Sequence, residues 1–297
     1  MMPSGQMGCG TALVTPFTRG GDVDERALRA LVDWQIAEGI HFLVPCGSTG
    51  EAATMTPAEH RRVVEIVVEQ TRKRVPVVAG AGSNDTRKAI EMSREMKAAG
   101  ADMLLHVSPM YNKPPQRGIV AHFHAVAEAT DLPIIVYNVP GRTGSNIEAK
   151  TTLELAKHER IIAVKEASGN LGQIMEIVRE APKGFQVLSG DDALTLAVMA
   201  GGGSGIISVV SNLAPRAMSR LAEACAEGRI SEARELHLRL MPLMSAAFIE
   251  SNPIPVKAGM AMLGRMENVV RLPLVPLDPK HEGALRSALT AAGAELR

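Results

Sequence analysis

The chain has no excess of charge of either sign: lysine plus arginine and aspartate plus glutamate both number 32. A partner gathered by long-range attraction, such as nucleic acid or an anionic membrane, is therefore not expected. No apolar run is long enough to span a bilayer. The opening MMPSGQMGCG lacks the basic and apolar regions of a signal peptide. Cysteine is scarce as well. Cys9, Cys46 and Cys225 are odd in number and scattered, with no C-x-x-C spacing, which argues against zinc. A reducing cytoplasm is the expected compartment. The eight histidines show no metal-ligand spacing with acidic neighbours, so no metal is expected. His122 and His124 read as parts of an ordinary amphipathic helix, and the 16 methionines read as core filler.

What is present is an alternation. With 297 residues, 46% of them hydrophobic, the chain can bury a sizeable core. Apolar, β-branched runs recur at steps of about 20–35 residues, each followed by a helical pattern. The expected strands are residues 11–17, 41–46, 75–79, 103–107, 134–138, 161–165, 186–189 and 205–210. Between them, Asp24 and the capping box of Thr56 and Glu59 open helices, while Gly39, Gly100 and Gly228 close them. Eight nearly even strand–helix units predict an α/β fold, a (β/α)8 TIM barrel, over an open doubly wound sheet. After Gly228 the strand signals stop. Residues 230–250, 256–263 and 281–296 look helical, which divides the chain into a barrel over 1–229 and a small C-terminal helical extension over 230–297.

In this fold, active sites form at the C-terminal ends of the strands. Lys165 lies there, after Ile161-Ile162-Ala163-Val164 and on the same side of its strand as Ile161 and Ala163. If that side faces the interior, burial lowers the amine's pKa and leaves a nucleophile able to form an imine with a ketone. The plainer reading is a strand-end lysine paired with Glu166 or another carboxylate. The only two tyrosines, Tyr111 and Tyr137, also fall at or beyond strand ends, where a phenol could pass a proton to Ser48 or Thr49 or could simply fill the barrel mouth. Gly47-Ser48-Thr49-Gly50 offers amides and hydroxyls to a small carboxylate, or serves as an ordinary turn. Arg142 offers a fork for a second carboxylate, or an exposed salt bridge. Gly201-Gly202-Gly203-Ser204-Gly205 lacks the lysine of a phosphate loop and reads as a tight turn.

Four segments, taken together and in order, carry a family resemblance: Gly47-Ser48-Thr49-Gly50-Glu51, Tyr137-Asn138-Val139-Pro140, Val164-Lys165-Glu166-Ala167-Ser168-Gly169-Asn170 and Leu188-Ser189-Gly190-Asp191-Asp192. Over nearly its whole length the chain resembles the dihydrodipicolinate synthase and N-acetylneuraminate lyase superfamily of class I aldolases. Gly141-Arg142-Thr143 and Asn252-Pro253-Ile254-Pro255-Val256-Lys257 resemble the synthase branch.

The resemblance implies a covalent imine between Lys165 and pyruvate, with no other cofactor. It makes Tyr137 the proton donor and acceptor, with Ser48 and Tyr111 completing a hydroxyl relay, Tyr111 from a neighbouring subunit. Thr49, Gly190 and the Ile207 backbone would bind pyruvate, and Arg142 the carboxylate of L-aspartate-4-semialdehyde. The implied assembly is a homotetramer. Cleavage of a sialic acid or a 2-keto-3-deoxy sugar acid is the alternative within the superfamily, and a non-catalytic pyruvate-binding regulator the alternative outside enzymes. Ser48 stands where many synthases carry threonine. At the lysine-regulatory positions His60 and Asn84 match, but Lys88 replaces an acidic residue and Met110 an aromatic or polar one. Feedback inhibition by lysine is therefore expected to be weak or absent.

Overall fold

The computed structural model describes residues 5–294 and 296 and contains eight strands. They are β1 (Gly8–Ala12), β2 (Phe42–Val44), β3 (Val78–Gly80), β4 (Met103–Val107), β5 (Ile134–Asn138), β6 (Ile161–Glu166), β7 (Gln186–Ser189) and β8 (Gly205–Ser208). All pair in parallel in the order 2-1-8-7-6-5-4-3, and a parallel bridge between Leu43 and Val77 joins the two ends. The sheet thus closes into the expected (β/α)8 barrel.

The strands lie between an inner packing and an outer jacket of helices, which is why they read as unbroken apolar runs. β6 shows both faces. Ile161 and Ala163 join the main core, whereas Val164 packs with Ile174 and Ile177 of the helix Leu171–Glu180. Alternation then turns Lys165 inward. The helix signals hold in detail. The Asp24 carboxylate accepts from the Ala27 amide, Thr56 and Glu59 form a reciprocal capping box, and Gly39, Gly100 and Gly228 take positive φ.

After the barrel come the helices Ile230–Ala246, Ile254–Met262 and Pro279–Ala291, whose Leu240, Val256, Met260 and Leu285 are buried in the same core. Arg271, between the last two, packs its guanidinium 4.3 Å from the Phe17 ring centre, donates to the Gly21 and Thr54 carbonyls and pairs with Glu59. No helix among the described residues is long and apolar enough to cross a membrane.

Several boundaries differ from expectation, among them the third strand, which runs over Val78–Gly80 and not 75–79. The first strand begins at Gly8 and ends at Ala12, not over 11–17. Gly10 looks like a turn residue but is needed for contact: a Cβ there would lie 2.1 Å from the Phe42 ring. The last strand stops at Ser208, and a 3₁₀ turn follows over Val210–Asn212 because the Asp192 carboxylate accepts from the Val209 and Val210 amides. The final helix starts at Pro279 and ends at Ala291, earlier than 281–296. Residue 295 of that expected span lies outside the described residues, as do residues 1–4 of the opening segment.

Candidate active site

The register of β5 and β6 sets Tyr137 opposite Lys165 and Asn138 opposite Glu166. Lys165 is 5% exposed, and burial pushes its ammonium down to about 7; Asp192 opposes this shift and Arg142 adds to it. Among the described residues no carboxylate lies within salt-bridge distance of Lys165, so pairing with Glu166 is not what the fold does. Glu166 points the other way and accepts from the Asn138 and Gln173 amides and the Ser168 N–H. The Lys165 Nζ instead lies 4.1 Å from the centre of the Tyr137 ring. Burial raises the Tyr137 phenol to about 12.

Two residues shape the space around this amine. The Gly190 N–H donates to the Glu166 carbonyl at 2.7 Å, and a Cβ there would come within 3.1 Å of the Lys165 Cγ. Any larger residue would push the lysine stem aside. Asp192, buried and raised to about 6 by burial, accepts from the Ser208 hydroxyl at 2.5 Å and from the amides that end β8. It thereby anchors the strand end that holds Ile207, which is fully buried.

The Gly47-Ser48-Thr49-Gly50 segment is a turn in which the Gly50 amide donates to the Gly47 carbonyl and the Glu51 amide to the Ser48 carbonyl. Ser48 is exposed and Thr49 is buried. Arg142 stands exposed on the short helix Pro140–Thr143, directly after Tyr137 and its loop, and its Nη2 donates to the Asn252 carbonyl at 3.2 Å. Tyr111 is 89% exposed with φ +72°, a conformation costly for a bulky residue, and its amide donates to the Thr143 carbonyl. No hydrogen bond joins the Tyr137, Ser48 and Tyr111 hydroxyls among the described residues. A single chain brings Lys165, Tyr137 and Gly190 together, buries Thr49 and Ile207, and leaves Tyr111 exposed.

Sequence reasoning passed over three partners. Asn252 donates from Nδ2 to the Thr49 hydroxyl oxygen at 2.9 Å. Glu51 forms a fully buried pair with Lys257 at 2.5 Å and also accepts from the Arg271 amide. Asp192 accepts from Ser208 and from the amides that end β8, and like Asn252, Glu51 and Lys257 it stood in a matching segment with no role given to it. The acidic pair straight after a strand end was the available signal for Asp192; for Asn252 and Glu51 the partners lie too far along the chain to be inferred.

A buried amine held at about 7 at the top of a closed eight-stranded parallel barrel, facing a buried phenol, is the arrangement a lysine nucleophile needs. Comparison with known proteins narrows the reading. The profile of the Dihydrodipicolinate synthetase family matches residues 6–292. The 4-hydroxy-tetrahydrodipicolinate synthase of Koribacter versatilis is 53% identical over 287 residues, covering 96% of both chains. The crystal structure of the dihydrodipicolinate synthase from Aquifex aeolicus superposes with a TM-score of 0.96 at 43% identity, covering 98% of this chain and 99% of that one. A monomeric dihydrodipicolinate synthase variant matches at 40% identity and TM-score 0.96, with 98% of each chain covered. The chain belongs to the Dihydrodipicolinate synthetase family.

Proposed function

We propose that this protein is a lyase, a 4-hydroxy-tetrahydrodipicolinate synthase, that joins pyruvate to L-aspartate-4-semialdehyde through an imine on Lys165, on the route to diaminopimelate and lysine. The observation behind the mechanism is the buried Lys165 amine at about 7, facing Tyr137 with no carboxylate within salt-bridge distance among the described residues. At neutral pH a large share of this amine is free to add to the pyruvate ketone. The carbonyl oxygen then takes a proton and leaves as water, giving the imine. Loss of a methyl proton yields an enamine, whose carbon attacks the aldehyde while the aldehyde oxygen takes a proton; the amino group of the second substrate then adds to the imine carbon, closing the ring and expelling the Lys165 amine.

The remaining groups divide by chemistry. Tyr137 gives and takes the protons, and a phenol held near 12 stays protonated to donate. Thr49, Gly190 and the Ile207 backbone hold pyruvate. Arg142, exposed at the mouth, meets the carboxylate of the aldehyde. A sugar acid would need hydroxyl partners along the pocket, whereas a short carboxylated aldehyde needs one cation, and Arg142 supplies it.

Ser48 and Tyr111 complete the proton relay, Tyr111 by entering a neighbouring copy within a homotetramer. Its exposure and its strained backbone support this reading, since a bulky side chain held outward at positive φ suits insertion into a partner. The protein would work in the cytoplasm, in keeping with three buried free cysteines. The reading is tested by turnover of pyruvate with L-aspartate-4-semialdehyde, set against cleavage of N-acetylneuraminate and 2-keto-3-deoxy sugar acids. Turnover of the aldehyde alone is expected; cleavage of a sugar acid without aldehyde turnover would reject it.

A further inference from the structure

We infer that Asn252 is a positioning residue that aims the Thr49 hydroxyl at the pyruvate carboxylate with its side chain while its backbone fixes Arg142. The inference rests on the roles proposed above for Thr49 and Arg142. Asn252 lies in the C-terminal extension, yet it touches both residues. Its Nδ2 donates to the Thr49 Oγ1 at 2.9 Å, and its carbonyl accepts from the Arg142 Nη2 at 3.2 Å.

The direction of the first bond is what matters. Threonine has one hydroxyl proton, and an oxygen that accepts from an amide leaves that proton to be donated elsewhere. Among the described residues the Thr49 hydroxyl donates to nothing, so its proton is available to an anionic ligand. The other half of the amide supports the same view. The Asn252 Oδ1 is buried without a partner, a cost that a purely structural amide would be expected to relieve. The side chain is held by its donor half, against the Thr49 hydroxyl.

The two contacts are made by different atoms, so they can be separated. Asn252→Asp keeps the shape but replaces the donor with an acceptor, which would draw the Thr49 proton toward itself. Asn252→Ala removes the contact without adding charge. Both substitutions keep the backbone carbonyl that holds Arg142.

The test is steady-state kinetics in both substrates on the full-length protein, with thermal unfolding alongside. Thr49→Val serves as the reference for the Thr49 role. We expect Asn252→Asp and Asn252→Ala to raise the pyruvate KM by about tenfold or more, the Asp variant most. The KM for the aldehyde should stay within roughly twofold. Borohydride trapping at limiting pyruvate gives a second measure of the same step for any variant of low activity. An unchanged pyruvate KM in Asn252→Asp, or equal rises in both KM values, would overturn the inference. If Thr49→Val raises the pyruvate KM and Asn252→Asp does not, only the role of Asn252 fails. If Thr49→Val itself has no effect, the assignment of Thr49 falls, and this inference with it.

Discussion

The Lys165 Nζ sits 4.1 Å from the centre of the Tyr137 ring, and the register of β5 and β6 places these two residues side by side. A ring face attracts an ammonium far less than water or a carboxylate stabilises it. The fold therefore buries an amine without securing its charge. This relationship explains why Lys165 is poised to react.

The first prediction is a pH dependence in both rate and stability. Imine formation needs the neutral amine, so kcat/KM for pyruvate should fall as pH drops through about 7. The same shift works against the fold. The folded pKa of about 7 lies below the 10.5 of an ordinary lysine, so between these values the unfolded chain binds more protons and stability rises with pH. Replacing Lys165 with Met should remove activity yet stabilise the protein at neutral pH, by on the order of 2 kcal/mol. Thermal unfolding at pH 7 checks it; a lower Tm for the Met variant would contradict it.

The second concerns substrate choice. Arg142→Ala should raise the KM for L-aspartate-4-semialdehyde by about tenfold or more, the usual effect of losing charge-assisted hydrogen bonds. It should leave trapping of pyruvate on Lys165 intact. Steady-state kinetics together with mass analysis of the trapped protein would show both effects. Loss of the pyruvate adduct in this variant would move Arg142 to the first substrate.

The third concerns the buried pair of Glu51 and Lys257. The side chain of Lys257 is 0% exposed, and burial pushes its ammonium down to about 8 despite the neighbouring carboxylate. Removing one partner strands the other charge, so Lys257→Met should cost about 3–5 kcal/mol. The double variant Lys257→Met with Glu51→Gln should be clearly more stable than the single one. Thermal unfolding of the three proteins decides this, and a double variant no better than the single one would sink it.

The fourth concerns regulation. Lys88 is exposed on the helix Thr86–Ala98, close in sequence to Asn84, whose side chain donates to the Met110 carbonyl. An ammonium at this position repels the ammonium of a bound lysine. Steady-state turnover should therefore be unaffected by micromolar lysine, and inhibition in that range would refute the expectation.

Much of this was legible in the chain because it is local. Period-2 burial placed Lys165 on the inner side with Ile161 and Ala163, and the caps at Asp24 and Thr56 marked helix starts that the structure keeps. The start of β1 was not legible, since Gly10 is dictated by the Phe42 ring of the neighbouring strand β2 and Gly8 takes a positive φ. Asn252 meets Thr49 across 203 positions and Lys257 meets Glu51 across 206, contacts that no local pattern encodes. Tyr111 marks a different limit. Its position beyond a strand end could be read, but the role proposed for it requires a second copy of the chain.

The most direct measurement is borohydride reduction of the protein with pyruvate, followed by intact and peptide mass analysis. The expected result is a single reduced pyruvate adduct on Lys165, absent from a folded Lys165→Ala variant. No adduct, or an adduct on another lysine such as Lys257, would contradict imine chemistry at Lys165.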